Sequence, residues 1–287
     1  MSNVENTSAT QGFTLIELVT VIVVLGIVSV GIAGFMRGGV QIYADATERE
    51  QLLGDSRFVV ERLTRELRSA IPNSLRVAQD ATRACIEFVP AQWVTYYTSL
   101  SVFPDASNKG RVVELASNSV NYAWQAGDYA VVYPTKSEDV YGATSEKRRE
   151  ILACTTNMDA NNDGNPDSDG NCANENGVSH LAELSFAGSF ADNSPASRLY
   201  IARNAVSYCV ANGSIYRVES AINASQTLYS SGSLMAEHVQ NNLAVDTPFV
   251  VLPASLSRNA LAQIKLSFMR NEELVNYGLE VNIANAP

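Results

Sequence analysis

Residues 13–36 form an apolar run interrupted by a single formal charge, Glu17, and Arg37 closes the run. About 20 helical residues cross the hydrocarbon core of a bilayer, so the stretch is long enough to span one as a helix. A carboxylate inside such a segment is costly in lipid and calls for a partner. Beyond Arg37-Gly38-Gly39 the pattern changes to amphipathic. Val40, Tyr43, Thr47, Leu52, Ser56, Val59, Leu63, Leu67 and Ala70 recur at three- and four-residue spacing, with a skip near Gly54. The opposite face is charged, and Arg57–Glu61, Glu61–Arg65 and Arg62–Glu66 stand at i,i+4. Pro72 ends the pattern, because it disfavours the helical conformation at Ile71 and carries no amide donor. The spacing therefore predicts one helix over 13–71, about 90 Å long at the standard rise per residue. Its first half, 13–36, is apolar enough for a membrane, and its second half, 37–71, is amphipathic. A membrane helix followed by a separate surface helix, kinked at Gly38-Gly39, is the other arrangement compatible with the pattern.

From Arg76 onward the periodicity shortens. Short β-branched or aromatic runs at 83–89, 93–97, 111–115, 128–133, 198–203, 206–210 and 215–219 lie between clusters of Pro, Gly, Asn and Ser. Ala211-Asn212-Gly213 is an Asn-Gly hairpin signal. Residues 261–269 and 274–283 alternate around Arg270-Asn271-Glu272-Glu273 and predict a terminal hairpin. Residues 228–239 read as a short helix. The fold class expected is α+β: a long N-terminal helix packed on a mostly antiparallel β-sheet domain over 72–287, a ladle-like arrangement.

A net charge of −10 argues against nucleic acid as a partner. Four cysteines, Cys85, Cys154, Cys172 and Cys209, fall in the part of the chain that would lie outside the cytoplasm, where disulfides persist. Four cysteines allow three pairings, and spacing alone does not choose among them. The favoured set is Cys154–Cys172, which closes a polar loop, with Cys85–Cys209 joining two strand-like segments. No Cys-x-x-Cys occurs, which disfavours a zinc or thioredoxin-type reading.

The loop at 159–170 places Asp159, Asn161, Asp163, Asn165 and Asp167 at the alternating positions of a calcium loop, with Gly164 at its sixth position. The glutamate that would complete such a loop is replaced by Gly170, so Asp169 or Glu175 would have to supply the last oxygens. Calcium is thus a candidate cofactor, against the plainer reading of a solvated turn-rich loop. Catalytic patterns are poor. His180 and His238 lie far apart, Gly-x-Ser-x-Gly is absent, and no glycine-rich phosphate loop appears. Trp93, Tyr96 and Tyr97 read as strand packing, with an exposed adhesive patch as the alternative. The chain reads as a structural protein, not an enzyme.

Gly12-Phe13-Thr14-Leu15-Ile16-Glu17-Leu18 ahead of an unbroken apolar helix resembles the class III signal of type IV pilins and type II secretion pseudopilins. That resemblance implies a leader over 1–12, cleavage between Gly12 and Phe13 by a prepilin peptidase, and N-methylation of Phe13. It also implies that Glu17 pairs with the terminal amine of a neighbouring subunit during assembly. A buried carboxylate meeting a buried ammonium replaces two unpaired charges by a neutralised pair. The leader departs from the family pattern: residues 1–11 carry no Lys or Arg but include Glu5, and Arg37 follows the span, which runs against the positive-inside bias. Further on, the segment 62–74, Tyr208-Cys209 ahead of Ile215-Tyr216-Arg217, and the ending 281–287 are similar to J-type pseudopilins and to the W- and O-type minor pilins. Among these the minor pilins of mannose-sensitive haemagglutinin (MSHA) pili are nearest. The implied role is that of a minor subunit which initiates or caps a filament. The alternatives are a J-type pseudopilin of type II secretion, or a membrane-anchored adhesin or calcium-binding module outside any filament. The implied partners are other minor and major pilin subunits, the prepilin peptidase, an inner-membrane assembly platform and membrane lipid. The implied location is the bacterial inner membrane, single-pass, with the C-terminal domain in the periplasm.

Overall fold

The structure is a computed structural model and describes residues 12–113, 124–156, 181–254 and 258–283. One long helix, α1, runs Leu15–Arg68, and fourteen of the sixteen elements among the described residues are β-strands. The fold is α+β, as the periodicity indicated. By its internal contacts the chain divides into two units, residues 1–51 and 52–287, and the boundary falls within α1.

In the first unit the side chains of α1 from Leu15 to Ala46 are exposed, including Val40 and Tyr43, which the stripe reading assigned to a packed face. The packed stripe begins at Leu52. In the second unit Leu52, Ser56, Val59, Val60, Leu63 and Leu67 are buried, one every three or four residues. The predicted end at Ile71 is three residues too far. Ser69, Ala70 and Ile71 leave the helix to meet residues 89–91: Ile71 N–H donates to the Val89 carbonyl at 2.8 Å, Ala91 N–H donates to the Ser69 carbonyl at 2.8 Å, and Ala70 bridges Pro90. The restriction that Pro72 places on Ile71 makes that extended exit the low-energy one.

Around the buried part of α1 lie two sheets. The first is β1 (Arg76–Gln79), β2 (Arg83–Phe88), β9 (Ala205–Ala211), β10 (Ser214–Ser220) and β11 (Ser233–Ala236), in that order. The second is β12 (Phe249–Leu252), β13 (Ala260–Arg270) and β14 (Glu273–Ile283). Every pairing within them is antiparallel. One core cluster takes Leu63 and Leu67 from the helix, Ile86, Phe88, Tyr208 and Val210 from the first sheet, and Ile264, Leu266, Phe268 and Val281 from the second. Residues 233–236 form strand β11 on the edge of β10, which corrects the helix read over 228–239. Only Met235 and Val239 suit a helical face there, whereas pairing with β10 buries Met235 and Ala236 together.

The rest of the second unit is a closed barrel of six strands, which the sequence did not announce. Its order is β3 (Trp93–Leu100), β4 (Lys109–Val113), β7 (Leu181–Phe186), β6 (Arg148–Thr156), β5 (Tyr129–Val131) and β8 (Arg198–Ala202). Closure removes free edges, and side chains fill so narrow an interior. Val112, Ile151, Leu184, Phe186, Phe190, Leu199 and Ile201 form that filling. The short helix α2 (Ser137–Tyr141) follows β5. Its Asp139 carboxylate accepts the Thr135 and Lys136 amides at 2.8 and 3.2 Å. Ile71, Val89, Val131, Tyr141, Tyr200 and Ile222 join barrel, α2 and first sheet in a third cluster.

Both predicted hairpins form. Asn212 and Gly213 sit at φ +53° and +71° between β9 and β10, and Asn271 and Glu272 at +48° and +66° between β13 and β14. Two consecutive left-handed residues define the type I′ turn whose twist matches that of the strands.

Candidate functional site

The N-terminal site is built from Gly12, Phe13, Thr14 and the first turn of α1. Gly12, Phe13 and Thr14 are non-helical and exposed, so the peptide bond joining Gly12 to Phe13 is accessible. The Thr14 carbonyl accepts hydrogen bonds from the Glu17 and Leu18 amides at 3.1 and 3.2 Å, which starts the helix at Leu15. Thr14 thereby occupies the N-cap position, where threonine is favoured. Thr14-Leu15-Ile16-Glu17 has the spacing of a capping box, a start signal for the helix.

Glu17 lies in the first turn. The amides of that turn lack intrahelical acceptors, and the helix dipole places partial positive charge there, so a carboxylate is favoured on local grounds alone.

From Leu18 to Met36 the helix carries no charged side chain, and apolar residues lie on all its sides. It is the one helix among the described residues long and apolar enough to cross a membrane, and none of its most apolar window is buried within the chain. The core helix of a soluble protein would be mostly covered. An uncovered apolar surface of this length suits lipid or other apolar helices.

The cysteines are placed as follows. Cys85 and Cys209 are opposite each other on β2 and β9 and are joined, with an S–S distance of 2.06 Å and a Cα–Cα distance of 4.1 Å. Cys154, on β6, is also disulfide-bonded. Its favoured partner, Cys172, lies outside the described residues, as do Asp159, Asn161, Asp163, Asn165, Asp167 and Asp169 of the candidate calcium loop. Among the described residues no group of three or more His, Cys, Asp and Glu could hold a metal ion. Trp93 and Tyr97 pack against or within the barrel core, and Tyr96 is half exposed.

Sequence reasoning missed the charged groups that tie the sheets to the helix. Arg217 on β10 donates to the Glu66 carboxylate on α1 at 2.9 Å, and Arg62 donates to the other oxygen at 2.9 Å. Burial alone would raise the pKa of Glu66, but the bonds to Arg62 and Arg217 outweigh it and hold the carboxyl below its ordinary range. The neighbouring Tyr208 hydroxyl is buried, and desolvation together with the Glu66 charge pushes its pKa up. A second buried carboxylate, Glu87 on β2, receives Arg76 Nε at 3.0 Å and Nη2 at 2.5 Å, and Ser207 Oγ at 3.1 Å. The Arg76 guanidinium stacks 3.6 Å over the Tyr141 ring, and Tyr141 donates to the Ser74 carbonyl at 2.8 Å. In the barrel, Asp128 is buried and paired with Arg203 at 2.6 Å. Each of these carboxylates has its opposite charge in contact. They hold the fold. Of these contacts, the i,i+4 spacing signalled only Arg62–Glu66, because the others join strands or elements far apart in the chain.

Residues 7–33 match the family described as the prokaryotic N-terminal methylation motif. No curated protein and no solved structure matches the chain. The matched segment holds the accessible Gly12–Phe13 junction, Glu17 in the first helical turn and the uncovered apolar helix, and so the chain carries an N-terminus of the type IV pilin or pseudopilin kind.

Proposed function

We propose that this chain is a minor pilin that helps to initiate or cap a type IV filament, in the manner of the MSHA minor pilins. A prepilin peptidase cuts between Gly12 and Phe13, and Phe13 is N-methylated. The apolar part of α1 holds the subunit in the inner membrane, with the β-rich unit in the periplasm, until an assembly platform passes it into a filament. There the helix exchanges lipid for the helices of other minor and major subunits, and Glu17 neutralises a neighbour's terminal amine. The observation that carries this reading is the methylation motif over 7–33, set on a helix with no covering inside the chain.

The test is mass spectrometry of the mature N-terminus of the chain recovered from its native membranes. The reading expects N-methylated Phe13 as the first residue. An intact leader would sink it and leave a plain membrane anchor. Loss of surface pili on deletion of the gene, with type II secretion unchanged, separates the minor pilin from a J-type pseudopilin, for which the reverse holds.

A further inference from the structure

Strand β14 is eleven residues long and pairs with β13 on one side only, and none of the described residues pairs with its other side. Natural sheet edges are blunted by lysine, proline, bulges or short length. β14 has no Lys, Arg or Pro, and its pairing with β13 runs unbroken from Glu273 to Ile283. The turn at Asn271-Glu272 fixes which backbone groups are free. A type I′ turn joins its flanking residues by a hydrogen bond, here Arg270 and Glu273, and hydrogen-bonding pairs then alternate along the ladder. The odd-numbered residues of β14 therefore bond to β13. Leu274, Asn276, Gly278, Glu280 and Asn282 point their amides and carbonyls away from the sheet.

The side chains show the same open edge. Val275, Tyr277 and Leu279 pack against the core cluster yet are only partly buried, whereas Val281 and Ile283 further along are buried. A further strand laid beside β14 would cover the first three.

We propose that this edge pairs with the β14 of a second copy of the chain, antiparallel and two-fold about Gly278. The strand is its own complement in that register. Outward-bonding residues meet outward-bonding residues: Gly278 faces Gly278 of the second copy, Asn276 faces Glu280, and Leu274 faces Asn282. On the core side Tyr277 faces Leu279 and Val275 faces Val281, so apolar rows meet apolar rows. No carboxylate stands opposite another, although each copy carries a net charge of −10. At the centre an added Cβ on Gly278 would meet no atom of its own chain within 4 Å, so the position is open on its exposed face. The contact is isologous and closed: it consumes both edges and recruits no third copy.

The test uses the full chain in its membranes. Gly278→Cys introduces a thiol at the two-fold centre, where paired strands place Cα atoms about 5.5 Å apart, within disulfide reach. Under mild oxidant it should run as a covalent dimer of twice the mass, and Lys265→Cys, on the exposed face of the interior strand β13, should not. In detergent, sedimentation should give a dimer for the unaltered chain and a monomer for Gly278→Pro, which removes one outward amide and no bond to β13. A monomer for the unaltered chain, with no covalent dimer from Gly278→Cys, overturns the proposal. So does cross-linking of Gly278→Cys to a different protein, which would assign the edge to another subunit. Should Gly278→Pro fail to fold, the cysteine pair decides alone.

Discussion

Arg217 on β10 and Glu66 on the last turns of α1 are joined Nε to Oε2 at 2.9 Å, across 151 positions of sequence, with both side chains mostly buried. The bond ties the end of the helix to the first sheet, and Arg62 and Glu219 complete a charge ladder around it. Removing one charge leaves the other half-desolvated. Glu66→Gln should destabilise the chain by about 1–3 kcal/mol, the usual worth of a hydrogen bond to a charged group. Denaturant unfolding followed by circular dichroism reads it, and an unchanged midpoint would show the pair to be neutral.

The same carboxylate carries a pH dependence with a definite sign. Its folded pKa lies below the ordinary glutamate value of 4.5, so the unfolded chain takes up the proton first as pH falls. The stabilisation is present in full above pH 4.5 and is lost as pH drops below it through the folded value. The stability difference between the unaltered chain and Glu66→Gln should therefore be largest near neutrality and shrink on acidification below that value. A difference that stays constant down to acid unfolding would contradict the assignment.

Leu63 is fully buried between helix and sheets, and Phe58, on the opposite face of the same helix, is half exposed. Leu63→Ala should cost about 2–5 kcal/mol through lost burial and a residual cavity. Phe58→Ala should stay within about 0.5 kcal/mol, as surface changes do. Parallel thermal unfolding of the two variants checks the contrast, and equal losses would mean that Phe58 packs against something in the folded chain.

Gly213 adopts φ +71° in the hairpin between β9 and β10, where its nearest outside neighbour to an added Cβ is the Val239 carbonyl oxygen at 3.7 Å. Space is available, and the backbone conformation supplies the penalty. Gly213→Ala should cost about 1–2 kcal/mol, the strain of a left-handed non-glycine residue. A chemical-denaturation midpoint equal to that of the unaltered chain would remove the argument.

For Glu17, substitution by valine keeps the helix apolar and its membrane insertion intact. The proposed role predicts that Glu17→Val is cut after Gly12, stays in the membrane and is missing from sheared filaments. Immunoblots of membrane and filament fractions read the outcome, and incorporation at the normal level would remove Glu17 from assembly.

Local signals were the legible ones. Asn212-Gly213 sits in a turn that both residue types favour, Asn271 begins one that asparagine favours, and the stripe from Leu52 to Leu67 follows the helical period because one face meets a sheet. The barrel was hidden because its closure depends on β3 meeting β8 and β4 meeting β7, partners about a quarter to a third of the chain apart, with nothing local to mark them. β11 was misread for a related reason: four residues are too few to show a period, and its edge position on β10 decides its conformation. At the N-terminus the methylation motif over 7–33 was readable because adjacent residues compose it. Glu87 with Arg76, and Asp128 with Arg203, were not, since burial and not spacing gives them their meaning.

The bond joining Cys85 to Cys209 has a consequence for the newly made chain. The two residues stand directly opposite on β2 and β9, and β9 is buried along its whole length. A slip of one position between these strands would turn the two thiols to opposite faces of the sheet. Oxidation can therefore seal only the correctly paired strands, and a misaligned pair keeps its two thiols apart. The covalent link acts as an inspection of strand register.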